Sequence, residues 1–73
     1  MWIKCKEDSI PINLNIIVGL DKGIDIDNNF FIQFNFKGYY SDNQNYDIWN
    51  FEKESRRNEV YSKIYNLLNI QEL

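Results

Sequence analysis

The side chains that most often carry catalysis are scarce in this chain. Its 73 residues include no histidine, the commonest general acid or base near neutral pH, and a single cysteine, Cys5. A nucleophilic Cys5 would need a base or a cation beside it. The local candidates, Lys4 and Lys6, are expected on the opposite side of the same strand. The sequence therefore predicts a buried core thiol at Cys5 and a protein that is not an enzyme.

Three aspartates near the middle of the chain suggest a site for a hard cation. Asp25 and Asp27 form an Asp-x-Asp pair, and Asp21 lies shortly before them. The glycine and the distal glutamate of an EF-hand are absent at the required offsets after Asp25. Acidic residues at a hairpin tip are more often solvated turn formers. We therefore expect no metal site and no cofactor.

Aromatic residues make up 16% of the chain, and they are spread over the predicted strands and loops. Nucleotide and single-strand binders use such rings for stacking, but rings also fill protein cores. The strands carry more apolar bulk than one helix can cover, since pairs such as Phe30 and Phe31 send rings to both faces. We expect the excess to form a surface for a partner, a ligand or self-association.

The basic residues cluster at one place, where Lys53 is followed by Arg56 and Arg57. Guanidinium groups suit a phosphate or an acidic partner. A solvated helix face neutralised by the neighbouring glutamates is the favoured interpretation, and phosphate binding is the alternative. Taken together, the candidate binding residues are Trp2, Phe31, Tyr39, Tyr40, Arg56 and Arg57.

Charge and hydropathy limit the partners. The net charge of −3 and the pI of about 4.7 disfavour a phosphate-neutralising surface, so nucleic acid is not expected. No apolar run reaches the roughly 20 residues that span a bilayer, and the start lacks the apolar stretch of a signal peptide. With one free thiol as well, the sequence predicts a cytoplasmic protein without a membrane contact.

The length of the chain predicts one domain over residues 1–73. A core of this size usually supplies no more than about 3–5 kcal/mol of net stability unless something reinforces it. One cysteine cannot form an internal disulfide, and the chain lacks the ligands of a structural zinc site. Self-association is the remaining means of reinforcement, so we expect a homo-oligomer.

Alternation of apolar and polar residues predicts four strands. The clearest runs from Phe30 to Lys37, with Phe30, Ile32, Phe34 and Phe36 on one face. Pro11 disfavours a strand through the segment between Glu7 and Leu14, which is expected to be a connection. The four strands are Trp2 to Lys6, Asn15 through Leu20 and on to Ile26, Phe30 to Lys37, and Tyr46 to Glu52.

From Ser55 onward the apolar period becomes helical. Val60, Tyr61, Ile64, Leu67 and Leu68 form one stripe. The sequence therefore predicts an α+β fold in which an antiparallel sheet of about four strands, a β-meander, is packed by one C-terminal amphipathic α-helix.

This pattern resembles small uncharacterised bacterial and phage proteins with a β-meander followed by one helix. The resemblance implies a fold and no activity, and this chain has its own longer hairpin and its own loop from Gly38 to Asn45. It rests on a hydrophobic pattern that covers most of the chain, namely Met1-Trp2-Ile3, Ile12-Asn13-Leu14-Asn15-Ile16-Ile17, the Phe-rich strand, Trp49-Asn50-Phe51-Glu52, Glu59-Val60-Tyr61 and Ile64.

Two functions from different classes fit these features. The first is a non-catalytic, homo-oligomeric protein-binding module, in the setting of a small phage or mobile-element accessory or inhibitor protein. The alternative is a small-molecule or nucleotide-binding protein that sequesters its ligand with the aromatic residues and the arginine cluster. Rings packed between subunits would favour the first, and rings lining a cavity beside Arg57 would favour the second.

Overall fold

Five strands and one α-helix form the part of the chain that this computed structural model describes, residues 1–38, 45–71 and 73. A short 3-10 helix separates the second strand from the third. The elements are β1 (Trp2–Cys5), β2 (Asp8–Asn13), the 3-10 helix (Leu14–Ile16), β3 (Ile17–Ile24), β4 (Phe30–Phe36), β5 (Tyr46–Phe51) and α1 (Glu54–Leu67).

The strands form two antiparallel sheets. β1 pairs with β2, and the other three strands form a sheet in the order β3-β4-β5. The α+β class and the C-terminal helix are confirmed, whereas the single sheet of about four strands is not. The expected connection contains the extra strand β2, which runs through Pro11. β2 has a hydrogen-bonded neighbour on one side only among the described strands, and a proline is tolerated in such an edge strand.

β4 lies in the middle of the three-stranded sheet and supplies its apolar centre. Ile32, Phe34 and Phe36 are buried, as the alternation predicts, and Phe30 is partly buried. Ile32 lies opposite Trp49 of β5. The rings of Phe34 and Trp49 meet edge to face with 4.8 Å between their centroids, a favoured arrangement for aromatic pairs.

A bulge near the start of β3 changes the predicted assignment of its faces. Strict alternation in the sequence would place Ile16, Val18 and Leu20 on one face and Ile17 and Gly19 on the other. The register shifts between Ile17 and Gly19, and the side chain of Val18 is 68% exposed. Since a bulge inserts one unpaired residue, it breaks the period of two that the alternation argument needs. Further along, the strand ends at Ile24, and Asp25 binds the backbone N–H groups of Asp27 and Asn29 within the turn.

Helix α1 and the β1–β2 hairpin both pack on the same side of the three-stranded sheet, which we call the inner face. The indole Nε1 of Trp49 donates a hydrogen bond of 2.8 Å to the backbone carbonyl of Ile10 in β2. From the helix, Val60 and Ile64 are buried, whereas Leu67 of the predicted stripe is 52% exposed. The buried apolar residues are Cys5, Ile12, Leu14, Ile32, Phe34, Phe36, Trp49, Phe51, Val60 and Ile64.

Candidate functional site

The opposite side of the three-stranded sheet, the outer face, is covered by no described helix or strand. Its middle is formed by Gln33, which lies opposite Asp21 of β3 and Ile48 of β5. Gln33 and Ile48 are only partly exposed, and Asp21 is the one charged residue on the outer face. From the register, the outer face consists of Gly19, Asp21, Gly23, Phe31, Gln33, Asn35, Tyr46, Ile48 and Asn50.

A chain of hydrogen bonds fixes the polar side chains of the outer face. Nε2 of Gln33 donates to Oδ1 of Asn35 over 2.9 Å, and Nδ2 of Asn35 donates to Oδ2 of Asp21 over 3.0 Å. The carboxylate of Asp21 therefore has a donor within the sheet. Each amide keeps further donor and acceptor capacity for a group that approaches from outside, because an amide offers two N–H donors and two lone pairs.

Two glycines of β3 let the side chains of β4 lie flat on the outer face. A methyl group built on Gly23 would lie 2.8 Å from Cζ of Phe31, so the ring of Phe31 lies across the glycine. In the same way, a methyl group on Gly19 would lie 3.1 Å from Nδ2 of Asn35. Phe31, a predicted binding residue, thus presents one face of its ring outward from the surface of the sheet.

The other aromatic candidates lie elsewhere. Trp2 belongs to the β1–β2 hairpin, and its side chain is 62% exposed. It is therefore not part of the outer face that contains Phe31. Tyr39 and Tyr40 lie outside the described residues, so their role stays a prediction.

Arg57 is buried and its side chain stabilises the fold. It is 5% exposed, its Nη1 donates to the backbone carbonyl of Gly23 over 2.8 Å, and its guanidinium group lies 5.5 Å from the ring centroid of Phe30. Nη1 also reaches the carbonyl of Phe31 at 3.4 Å, and Nε donates to Asn58. Arg57 thus joins α1 to the backbone of β3 and β4 at Gly23 and Phe31, from the inner face of the sheet.

Arg56 joins α1 to the β1–β2 hairpin. Its guanidinium group forms ion pairs with Glu7, in the turn between β1 and β2, and with Glu59 one turn along the helix. Hydrogen bonds from Arg56 lower the pKa of both glutamates below their ordinary values. A depression of about 470 Å³ beside this cluster also contains Glu52 and Lys53. Arg56, one of the donors that the ligand-binding interpretation assigned to a phosphate, is therefore already paired with two carboxylates.

Cys5 has the surroundings of an unreactive thiol. Its side chain is 8% exposed and belongs to the core, and burial raises its pKa above the ordinary value of 9.0. Reactive cysteines have the opposite setting, because only the thiolate is nucleophilic. Burial at this position agrees with the sequence prediction.

The carboxylate of Asp25, one of the three aspartates considered for a cation, is used within its own turn. Oδ1 of Asp25 accepts two backbone N–H groups, and Oδ2 accepts from the amide of Asn29 at 3.4 Å. These bonds lower the pKa of Asp25, with the backbone N–H of Asn29 as the largest cause. The geometry is that of a side-chain-stabilised turn, which is the role expected from the sequence.

A second surface, which the sequence analysis missed, is a groove between β1 and α1. It has a volume of about 300 Å³ and carries Lys4 and Lys6 on one side and Lys63 on the other. The spacing of Lys4, in β1, and Lys6, just after it, was visible in the sequence. Their approach to the helix depends on the packing of the hairpin against α1, for which the sequence gives no local signal.

Comparisons of this chain with protein-family models, with curated proteins and with solved structures gave no match. The resemblance to small phage proteins therefore stays a prediction. Within residues 1–38, 45–71 and 73, no helix has the length and apolar character needed to cross a membrane.

Proposed function

We propose that this chain is a non-catalytic protein-binding module that self-associates through the outer face of its three-stranded sheet. The observation that carries the proposal is the outer face itself. In a chain in which 26% of residues are charged, Asp21 is the one charged residue on this face, and it already accepts a hydrogen bond from Asn35. Depletion of charge with retention of aromatic residues is typical of the centre of a protein interface.

A second copy of the same face is the partner that fits this chemistry. A symmetric dimer places the same patch on both sides of the interface, so rows of like charge would repel across it. Gln33 and Asn35 carry both donors and acceptors and can pair with their own copies. Two sheets that stack face to face lie about 10 Å apart, and the flat Phe31 ring and Ile48 would fill that space.

The β3 edge of the sheet is less suited to pairing than the outer face. β3 is an edge strand, but Asp21 and Lys22 occupy its middle. Charged residues on an edge strand, lysine above all, are a device that prevents edge-to-edge association. Gly19 and Gly23 further weaken pairing along this edge, because a glycine in a strand has no side chain to pack.

Association would stabilise the small core of this chain, which no internal disulfide reinforces. The chain forms no disulfide, since Cys5 is its only cysteine and is buried as a free thiol. Stacking of two outer faces would remove Phe31 and Ile48 from water at about 25 cal/mol for each Å² of apolar surface. Association is therefore expected to raise the melting temperature as the protein concentration rises.

Sedimentation velocity over a range of concentrations tests the proposal. We expect wild-type protein to dimerise and Ile48→Glu to remain a monomer, because the new carboxylate would lie in the centre of a stacked interface. Gln33→Glu is a nearly isosteric second variant, and we expect it to weaken the dimer by placing like charges across the interface. Ser62→Glu, at an exposed position of α1, adds the same charge and should dimerise as the wild type does.

Circular dichroism must show that the Ile48→Glu and Gln33→Glu variants are folded. A wild-type protein that stays monomeric at all concentrations would contradict the proposal. A folded Ile48→Glu variant that dimerises as strongly as wild type would also contradict it, because the interface would then lie elsewhere.

A further inference from the structure

The groove between β1 and α1 combines an apolar floor with a cationic rim. Its floor is formed by side chains of both elements and by the indole of β5, namely Ile3, Cys5, Trp49, Val60, Ile64 and Leu67. The cations are Lys4, Lys6 and Lys63, all exposed, together with Arg56. A volume of about 300 Å³ is at the lower end of the range for ligand pockets, and suits a few side chains.

The charge of the groove is opposite to that of the chain. The chain carries a net charge of −3, yet four of its cations line this groove. Glu7 and Glu59 form ion pairs with Arg56 and also attract Lys6 and Lys63, so the four cations of the groove are set against two carboxylates. Lys4, Lys6 and Lys63 form no ion pair within 4.0 Å to a carboxylate in the part of the chain that the structure describes. These three ammonium groups give the groove a net positive charge that favours an anionic occupant.

One wall of the groove is the edge of a strand. Ile3, Lys4 and Cys5 of β1 line it together with Lys6 of the following turn, and successive residues of a strand point to opposite faces. It is therefore the edge of β1, and not one of its faces, that borders the groove. β1 has a hydrogen-bonded strand on one side only among the described elements. An unpaired edge of this kind can add the backbone of an extended peptide.

We propose that this groove binds an extended segment of a partner protein in which apolar and acidic residues alternate. The backbone of the segment adds to the edge of β1, its apolar side chains pack against the accessible apolar residues Ile3 and Leu67, and its carboxylates face the lysines. The proposal rests on the proposed function in treating the chain as a protein-binding module. It does not depend on the outer face, which lies on the other side of the molecule's three-stranded sheet.

Charge complementarity selects this occupant over a second copy of the chain. A β1 strand from another copy would bring its own Lys4 and Lys6 to the same edge, and like charges on adjacent strands are destabilising. An alternating segment also matches the geometry of the groove, since the side chains of a strand point alternately to opposite sides.

Titration with designed peptides tests the proposal. The probe is a fluorescein-labelled, capped octapeptide that alternates valine and glutamate, and its matched control alternates valine and lysine. We expect saturable binding of the acidic peptide by fluorescence anisotropy and little binding of the basic one. In NMR spectra of labelled protein, the amide signals that shift should be those of Ile3 to Lys6 and of Val60 to Leu67.

Two further controls separate strand addition from simple attraction between charges. Acidic peptides N-methylated on either the valine or the glutamate amides should differ, because only every second N–H of an added strand points to the edge. Lys4→Glu and Lys63→Glu should each weaken binding roughly fivefold. Lys37→Glu, an exposed lysine outside the groove, should leave the affinity unchanged.

Several results would overturn the inference. These are no binding at about 1 mM peptide, equal binding of the acidic and basic peptides, or equal binding of the two methylated peptides. An equal loss of affinity in Lys37→Glu, or nuclear Overhauser effects between copies that place a second β1 strand in the groove, would do the same. The titration is repeated with the Ile48→Glu variant, in which the outer face is disrupted. Retained binding of the acidic peptide would support the groove independently of the outer face, and loss of binding in the folded variant would contradict that independence.

Discussion

The two faces of the three-stranded sheet are built from the same strands and differ in almost every chemical respect. The inner face carries fully buried side chains such as Phe34 and Trp49, covered by α1 and the β1–β2 hairpin. The outer face carries linked amides, two glycines and a ring that lies flat. The inner face forms the core, and we propose that the outer face joins two copies, so substitutions on the two faces should affect different measurements.

The largest expected effect comes from deleting a ring on the inner face. Phe34→Ala should lower the free energy of unfolding by about 3–5 kcal/mol, since it removes a fully buried ring and leaves a cavity. Phe31→Ala, on the same strand but on the outer face, should lower it by about 1 kcal/mol or less in dilute protein. Urea unfolding of both variants provides the measurement. Equal losses would show that the assignment of the two faces is wrong.

A smaller but still large effect is expected at the buried arginine. Arg57→Ala should cost about 2–4 kcal/mol, because the backbone carbonyl of Gly23 loses a charged donor inside the protein and the alkyl stem loses its packing. Arg56→Ala should cost clearly less, since its ion pairs are partly exposed to solvent. Thermal unfolding of the two neighbouring variants checks the order, and a larger loss in Arg56→Ala would contradict it.

On the outer face, Gly23→Ala should change association more than stability. The added methyl group must displace the Phe31 ring, whose Cζ would otherwise lie 2.8 Å away. We expect a loss of stability of about 1 kcal/mol and a clearly weaker dimer, because the ring no longer lies flat. In the double variant Gly23→Ala with Phe31→Ala, the stability cost of the alanine should disappear. Additive costs would show that the ring and the glycine are not coupled.

The smallest effect concerns pH. Hydrogen bonds from Arg56 lower the pKa of Glu7 and Glu59 in the folded protein below the ordinary value of 4.5. Their contribution to stability is therefore complete above pH 4.5 and is lost as the pH falls through the folded values, because the unfolded carboxylates take up protons first. Between pH 7 and pH 3.5, the melting temperature of Arg56→Gln should fall by less than that of wild type. An equal fall would show that these ion pairs do not contribute to the dependence of stability on pH.

Features of the fold that depend on local pattern could be predicted from the sequence. The alternation in β4 identified Phe34 and its neighbours as core, and the change of period identified α1 to within one residue of its start, Glu54. β2 was missed because Pro11 was taken to exclude a strand, although a strand with one paired side tolerates it. The bulge at Val18 was missed because a single inserted residue leaves no mark in the composition.

The candidate sites were less predictable, because they depend on contacts between distant parts of the chain. Phe31 was predicted to be a binding residue; it lies on the outer face, and its binding role stays a prediction. Arg57 was expected on a solvated helix face, yet it is buried, since the carbonyl of Gly23 lies within its reach. Charged residues are seldom buried without a partner, and no local feature of the sequence shows that a backbone carbonyl will supply one.

Isotope-filtered NMR on a mixture of carbon-13-labelled and unlabelled protein tests the central claim most directly. The account predicts nuclear Overhauser effects between copies from the methyl groups of Ile48 to the ring of Phe31. It also predicts none from Trp49, which is buried inside one copy. Nuclear Overhauser effects between copies from Val18 and Ile24, at the edge of β3, would contradict the claim that the outer face joins two copies. The absence of any such effect between copies in concentrated protein would contradict it as well.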